Sequence, residues 1–189
     1  MGETLIVGDG PAGLSAALLL AKKGERARVF GKDKTKMHQA YLYNYPGIKQ
    51  IDGSEFIETT REQCRYFGAE LYDRKITEFD KNNDGDEFVL TDEVDDQYIG
   101  DYLILATGHF VRNYSSELDV ETDEAGRVIV DDHARTNVTN AYAAGVATRT
   151  QRIQVTISVG QGAAAALDII DKEQNGVPND FDTRADTHL

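Results

Sequence analysis

The sequence predicts an α/β fold of three layers: a parallel central sheet, helices packed on it, and a small antiparallel β-meander. Three observations carry this reading. A short apolar run, Leu5-Ile6-Val7, leads through Gly8-Asp9-Gly10-Pro11-Ala12-Gly13 into an apolar helical pattern, with a second β-type run at Ala27-Arg28-Val29-Phe30. Further on, Asp101-Tyr102-Leu103-Ile104-Leu105-Ala106 is nearly continuous in apolar residues, as a strand buried on both faces of a parallel sheet is. Between these segments lie three short β-type stretches separated by turn residues, the pattern of a meander.

The first thirty residues organise the rest. Gly8 allows a tight turn, Gly10 lets the backbone approach a pyrophosphate, and Gly13 permits close packing of helix on strand. The free N–H groups at the helix start then face the phosphates, helped by the positive end of the helix dipole. Strand, glycines, helix and second strand arrive in the order of a Rossmann-like, dinucleotide-binding fold.

After Phe30 the stretch GKDKTKMHQAYLYNYPGIKQ is polar, aromatic and rich in turn residues, and reads as a loop. A helix follows, with Ser54 as N-cap and Gly68 as its end. Phe56, Ile57, Cys64 and Phe67 lie on its apolar face. The meander is expected from Leu71-Tyr72 with Ile76-Thr77-Glu78-Phe79, then Phe88-Val89-Leu90, then Gln97-Tyr98-Ile99, with Asn82-Asn83-Asp84-Gly85 as a hairpin turn. Asp80, Asn82, Asp84 and Gly85 come close to a calcium loop, but its twelfth position is Thr91, where a bidentate Glu is needed.

Thr107-Gly108 ends the central run, and the chain is polar and irregular to about Asp123. Arg127-Val128-Ile129-Val130 reads as a short strand, and Asn140-Ala141-Tyr142-Ala143-Ala144-Gly145 as a last buried strand ending in a glycine turn. A helix is expected over Thr156 to Lys172, with Gly160 and Gly162 where another backbone comes close. Residues 1–174 form one domain in this reading, and 175–189 a mobile tail of low apolar content.

The 189 residues are enough to bury a substantial core. The formal charge is −13 with a pI near 4.6, which argues against nucleic acid and anionic membrane as partners. An ordinary acidic cytosolic protein and one adapted to a salt-rich cytoplasm both fit. The second is favoured, because salt screens such self-repulsion. A single cysteine, Cys64, leaves no internal disulfide and no Cys-x-x-Cys pair. No leader and no run of about eighteen apolar residues is evident, so a soluble, cytoplasmic protein is expected.

Several segments together resemble the FAD-binding half of thioredoxin reductases and related flavoproteins with two dinucleotide-binding domains. They are IVGDGPAGLSAALLLAKKG, NYPG at Asn44-Tyr45-Pro46-Gly47, ILATG at 104–108, VDDHARTNVTNAYAAG at 130–145 and VGQGAAAALDI at 159–169. They stand in the family's order. In that family an NADPH domain carrying the Cys-x-x-Cys pair is inserted after the ATG strand. Here the next strand follows within roughly twenty residues, so the resemblance implies the FAD domain alone, without NADPH domain or redox dithiol.

The resemblance implies FAD as cofactor. Gly8, Gly10, Pro11, Ala12 and Gly13 would hold the pyrophosphate, Thr107 and Gly108 would border the cofactor, and Gly145 would allow close approach near the ribityl chain. Asn44, Gln154 and Thr156 would lie nearest the flavin ring, with helix capping and surface solvation as the other reading of Gln154 and Thr156. Two family features are absent. Gly31 stands where a Glu would bind the adenosine ribose, with Asp33 as a substitute or Lys32 and Lys34 favouring an extra phosphate. Val146 stands where an Asp would contact the ribityl region.

His109, at the carboxyl end of a central strand, and His38, in the loop before NYPG, are candidate proton donors or solvated loop residues, and His133 is read as structural. Ser115 and Ser116 have no nucleophile context. Tyr41, Tyr43 and Tyr45 form either an aromatic wall over a flavin or a dimer interface. Two functions stay open. One is a compact FAD-binding oxidoreductase or electron carrier served by a separate redox partner. The other is a non-catalytic nucleotide-binding or degenerate module acting through homo-oligomerisation or partner binding. A homodimer is expected in either case.

Overall fold

A computed structural model describes residues 2–82, 87–108, 117–149 and 151–176. Strand β1 (Glu3–Val7) leads into helix α1 (Pro11–Lys22) and strand β2 (Arg26–Gly31), in the order expected from the glycine turn. The parallel sheet is completed by β5 (Glu70–Asp73), β9 (Tyr102–Leu105) and β10 (Ala141–Ala143), in the order β10-β9-β1-β2-β5. β1 sits at the centre, with Leu5 opposite Arg28 on one side and Leu103 on the other. All four residues of β9 are buried, as its apolar run requires.

Side-chain alternation sends the two faces of the sheet into two cores. Ile6, Val29, Ile104 and Tyr142 face α1, α2 (Gly53–Tyr66) and α3 (Val155–Gln174). Leu5, Val7, Phe30, Leu103 and Leu105 face the meander of β6 (Ile76–Lys81), β7 (Phe88–Asp92) and β8 (Gln97–Gly100). Helices, parallel sheet and meander are therefore the three layers. The meander's β7–β8 turn is built by Asp92, whose carboxylate accepts the Val94 and Asp96 N–H groups and the Tyr98 hydroxyl.

Several expectations need correction. Leu71-Tyr72 belongs to β5 and pairs in parallel with β2, not with the meander. The loop before NYPG contains a 3-10 turn over Lys36–Gln39 and an antiparallel pair of β3 (Tyr41–Leu42) with β4 (Ile51–Asp52). Asp52, not Ser54, caps α2: its carboxylate accepts the Ser54 N–H at 2.8 Å. Phe67 is 40% exposed, because it falls past the last helical turn, just before positive-φ Gly68. Arg127–Val130 makes only a single bridge, Thr122 with Val128, instead of a strand.

Cys64 is fully buried against α1, donating to the Leu14 carbonyl at 3.3 Å, and burial pushes its thiol up to about 12. β6 and β7 pair antiparallel as the hairpin reading requires, and the Asn82 N–H reaches the Glu87 carbonyl at 2.9 Å. Asn83, Asp84 and Gly85 of that turn, His109, Ser115, Ser116 and the tail from 177 lie outside the described residues.

Candidate dinucleotide site

The glycine turn lies at the carboxyl ends of β1 and β9, where the chain leaves the central strand for opposite sides of the sheet. Ligands of open α/β sheets bind at such a point. Gly8 has φ +121° and a Cβ there would stand 2.2 Å from the Ala106 carbonyl oxygen. Its N–H donates to the Phe30 carbonyl at 2.8 Å, tying the turn to β2. A Cβ on Gly13 would stand 1.9 Å from the Gly8 carbonyl oxygen. These two glycines are needed by the protein's own packing.

Gly10 differs. It caps α1 with ordinary φ of −86°, and a Cβ there would meet only Thr35 Oγ1, at 3.5 Å. The space in front of Gly10 is open, and a side chain would fill it. Pro11 occupies the first helical turn, where its missing N–H costs nothing. No acidic side chain lies in that turn, so the helix N-terminus keeps its positive potential. Ala12 underlies the site: a Cβ on Gly145, whose φ is +72°, would come within 2.9 Å of Ala12 Cβ, and one on Gly162 within 2.0 Å of the Ala12 carbonyl. Gly160 meets nothing, so only Gly162 of the two helix glycines serves close packing.

Thr107 follows β9 beside the turn, and its Oγ1 is buried with no hydrogen-bond partner among the described residues. Gly108, at φ +67°, then redirects the chain. An orphaned hydroxyl and an open cradle over a helix N-terminus fit a bound phosphate-containing cofactor.

Asn44 and Gln154 are 110 residues apart and meet: the Asn44 amide donates to Gln154 Oε1 at 3.3 Å. Gln154 holds the cap position of α3 but makes no side-chain cap bond. The capping reading therefore fails for Gln154. Thr156, in the first turn of α3, is half-buried and makes no side-chain hydrogen bond among the described residues. The Gly145 N–H donates to Gln161 Oε1 at 3.0 Å, and the Gln161 amide nitrogen donates to Thr148 Oγ1 at 3.0 Å.

Sequence reasoning missed a network at the end of β2. Arg61 of α2 donates to Asp9 at 2.7 Å and lies 2.9 Å from Asp33. The Asp33 N–H donates to Asp9 at 2.8 Å. His38 bridges Asp33, at 2.7 Å from Nε2, and Ser54, at 2.9 Å from Nδ1. Burial raises the Asp33 pKa, but His38 and Arg61 outweigh it and hold the carboxyl below its ordinary value. The one sequence signal was Asp9, an acidic residue between Gly8 and Gly10 of the glycine turn. Lys32 pairs with Glu93 at 2.8 Å and Asp73 at 3.3 Å.

His133 is exposed, with its N–H on Asp131. Tyr41 and Tyr43 are 53% and 75% exposed, whereas Tyr45 packs on Phe56 with ring centroids 5.7 Å apart. Among the described residues no helix is long and apolar enough to cross a membrane, and no group of three metal-ligating side chains occurs.

Residues 2–113 and 46–162 match, as two overlapping segments, the family described as pyridine nucleotide-disulphide oxidoreductase. The chain is 37% identical over 109 residues to thioredoxin reductase tcpT of Claviceps purpurea, a match covering 56% of this chain and 34% of that protein. It is 35% identical over 118 residues to a ferredoxin–NADP reductase of Ignicoccus hospitalis, covering 57% and 37%. It thus spans about a third of the length of these curated relatives. The atypical thioredoxin reductase TRi of Desulfovibrio vulgaris Hildenborough superposes with a TM-score of 0.83 at 21% identity, over 95% of this chain and 100% of that one. The chain thus belongs to the pyridine nucleotide-disulphide oxidoreductase family, with the fold of its thioredoxin reductase-like members.

Proposed function

We propose that the chain is an FAD-binding, thioredoxin reductase-like electron-transfer flavoprotein that works without an NADPH domain or redox dithiol of its own. The observation that carries this is the open cradle at Gly10, at the α1 N-terminus; the Thr107 hydroxyl, at the end of neighbouring β9, is unpartnered among the described residues. When bound, the flavin supplies the redox chemistry, and the chain supplies binding, orientation and electrostatics. Gly10 offers open space to the pyrophosphate, Pro11, Ala12 and Gly13 form the first turn of the helix whose positive end faces it, and Gly8 shapes the backbone turn beneath it. Thr107 and Gly108 border the cofactor, and Gly145 keeps the approach to α1 clear.

Asn44 and Gln154 hold each other at the far end and offer amide groups to the ring. The N-terminus of α3, with no acidic residue in its first turn, favours negative charge there. One cysteine, buried and with its pKa pushed up to about 12, cannot serve as a dithiol. Electrons therefore come from and go to separate partners in this reading. The ferredoxin–NADP reductase among the relatives makes a protein carrier a reasonable class of donor.

The absorbance spectrum of protein purified at high salt tests the proposal. Flavin bands with about one FAD per chain are expected. A colourless protein that takes up no added FAD would overturn the flavoprotein reading and leave the non-catalytic module in its place. We further propose a homodimer in a salt-rich cytoplasm, with exposed Tyr41 and Tyr43 at its interface. Light scattering at high salt is expected to return twice the chain mass, and a monomeric mass sinks the dimer.

A further inference from the structure

In dinucleotide-binding folds of this class an acidic side chain at the end of the second strand accepts the adenosine ribose hydroxyls. Position 31 is glycine here, and the place of its side chain is already filled. A Cβ on Gly31 would lie 2.1 Å from the carboxyl carbon of Asp9. Asp9 is held there through one oxygen only: Oδ2 accepts from Arg61 Nη2 at 2.7 Å and from the Asp33 N–H at 2.8 Å. Among the described residues Oδ1 accepts no hydrogen bond. Both residues line a cleft of about 200 Å³ whose apolar wall includes Leu14, Val29 and Leu71, a surface suited to a base.

We propose that Asp9, delivered from the glycine turn and positioned by Arg61, is the ribose acceptor of this chain, and that Gly31 exists to make room for it. The inference rests on the dinucleotide reading above. The ligand class is an adenosine diphosphate moiety with a free 2′-hydroxyl. A 2′-phosphate is disfavoured, because Asp9, Asp33 and Asp73 face the cleft, Arg61 is shared by two of them, and the cleft's other cation, Arg65, pairs with Glu58 at 3.1 Å. Arg61 is the positioning residue: burial lowers its pKa, but Asp33 and Asp9 outweigh that and keep it charged.

Calorimetry with the full chain, using ADP, 2′-deoxy-ADP and adenosine 2′,5′-bisphosphate, tests this. The unaltered protein is expected to bind ADP about tenfold or more tighter than 2′-deoxy-ADP, the size of a hydrogen bond to a charged group. In Asp9→Ala that preference disappears while 2′-deoxy-ADP binding changes by less than about threefold. Asp33→Asn keeps the preference. Gly31→Glu alone binds poorly because it collides with Asp9, and the double variant Gly31→Glu/Asp9→Ala regains the preference from the strand end. Full discrimination in a folded Asp9→Ala overturns the assignment and leaves dinucleotide binding standing. An unaltered protein that binds neither ADP nor FAD overturns the dinucleotide reading and this inference with it.

Discussion

Gly10→Ala is expected to lower FAD affinity at least about a hundredfold while leaving the melting temperature within about 4 °C of the unaltered protein. The methyl group enters the open space in front of the α1 N-terminus, where the nearest side-chain atom is Thr35 Oγ1 at 3.5 Å. Nothing in the protein must move to admit it, and the φ of −86° suits alanine. The remaining cost is the poorer capping of alanine relative to glycine. Gly13→Ala is expected to do the opposite first. Its methyl would stand 1.9 Å from a backbone carbonyl that cannot rotate away, so α1 must lift from β1. The loss is about 3 kcal/mol or more, read as a melting temperature lower by roughly 6–12 °C. Thermal melts with and without added FAD separate the two effects. Equal FAD affinity in Gly10→Ala would show that the cradle holds no phosphate.

Asp168→Ala is expected to destabilise the protein by about 3 kcal/mol, the scale for removing one member of a buried hydrogen-bonded charge cluster. The Asp168 carboxylate is buried on α3 and accepts the Tyr142 hydroxyl at 2.7 Å and Arg135 Nε at 2.8 Å, with Arg135 Nη2 on its other oxygen. Lys172, one turn on, donates to the Tyr142 oxygen at 2.7 Å. Tyr142 is wholly buried at the end strand of the sheet, so its hydroxyl has no water to fall back on. Burial first, and then the bond to Asp168, pushes the Tyr142 hydroxyl well above its ordinary pKa and keeps it neutral.

Burial by itself raises the Asp168 pKa, but Arg135, Tyr142 and Lys172 outweigh it and hold the carboxyl below its ordinary value. The folded pKa therefore lies below the unfolded one. The stabilisation is fully present above about pH 4, the unfolded carboxylate value, and is lost as pH falls through the lower folded value. Urea melts from neutral pH downward check this. Asp168→Asn is expected to lose that part of the acid dependence. An unchanged acid limb in the asparagine variant would assign it to other carboxylates.

The parts of this protein written in local pattern were legible without a structure. The strand, glycine turn, helix and second strand of residues 3–31 follow from an apolar run, φ-permissive residues and a 3.6-residue period. Strands β9 and β10 and helix α3 follow from buried runs of the right length. Each needs only its own neighbours to be recognised.

Tertiary structure decided everything that depends on which segment lies beside which. Leu71-Tyr72 joined β2 instead of the meander, because strand pairing is a contact between distant residues and propensity does not name the partner. Arg127–Val130 has strand composition but finds only one bridge, so its β character goes unused. Gly160 and Gly162 look alike in sequence, yet only Gly162 faces the Ala12 carbonyl. The site divides in the same way. The glycine turn was determined by the sequence itself, since its glycines encode a local backbone path. The Asp9–Gly31–Arg61 arrangement was not, because it brings together a turn, a strand end and a helix whose meeting is set by packing across the whole domain.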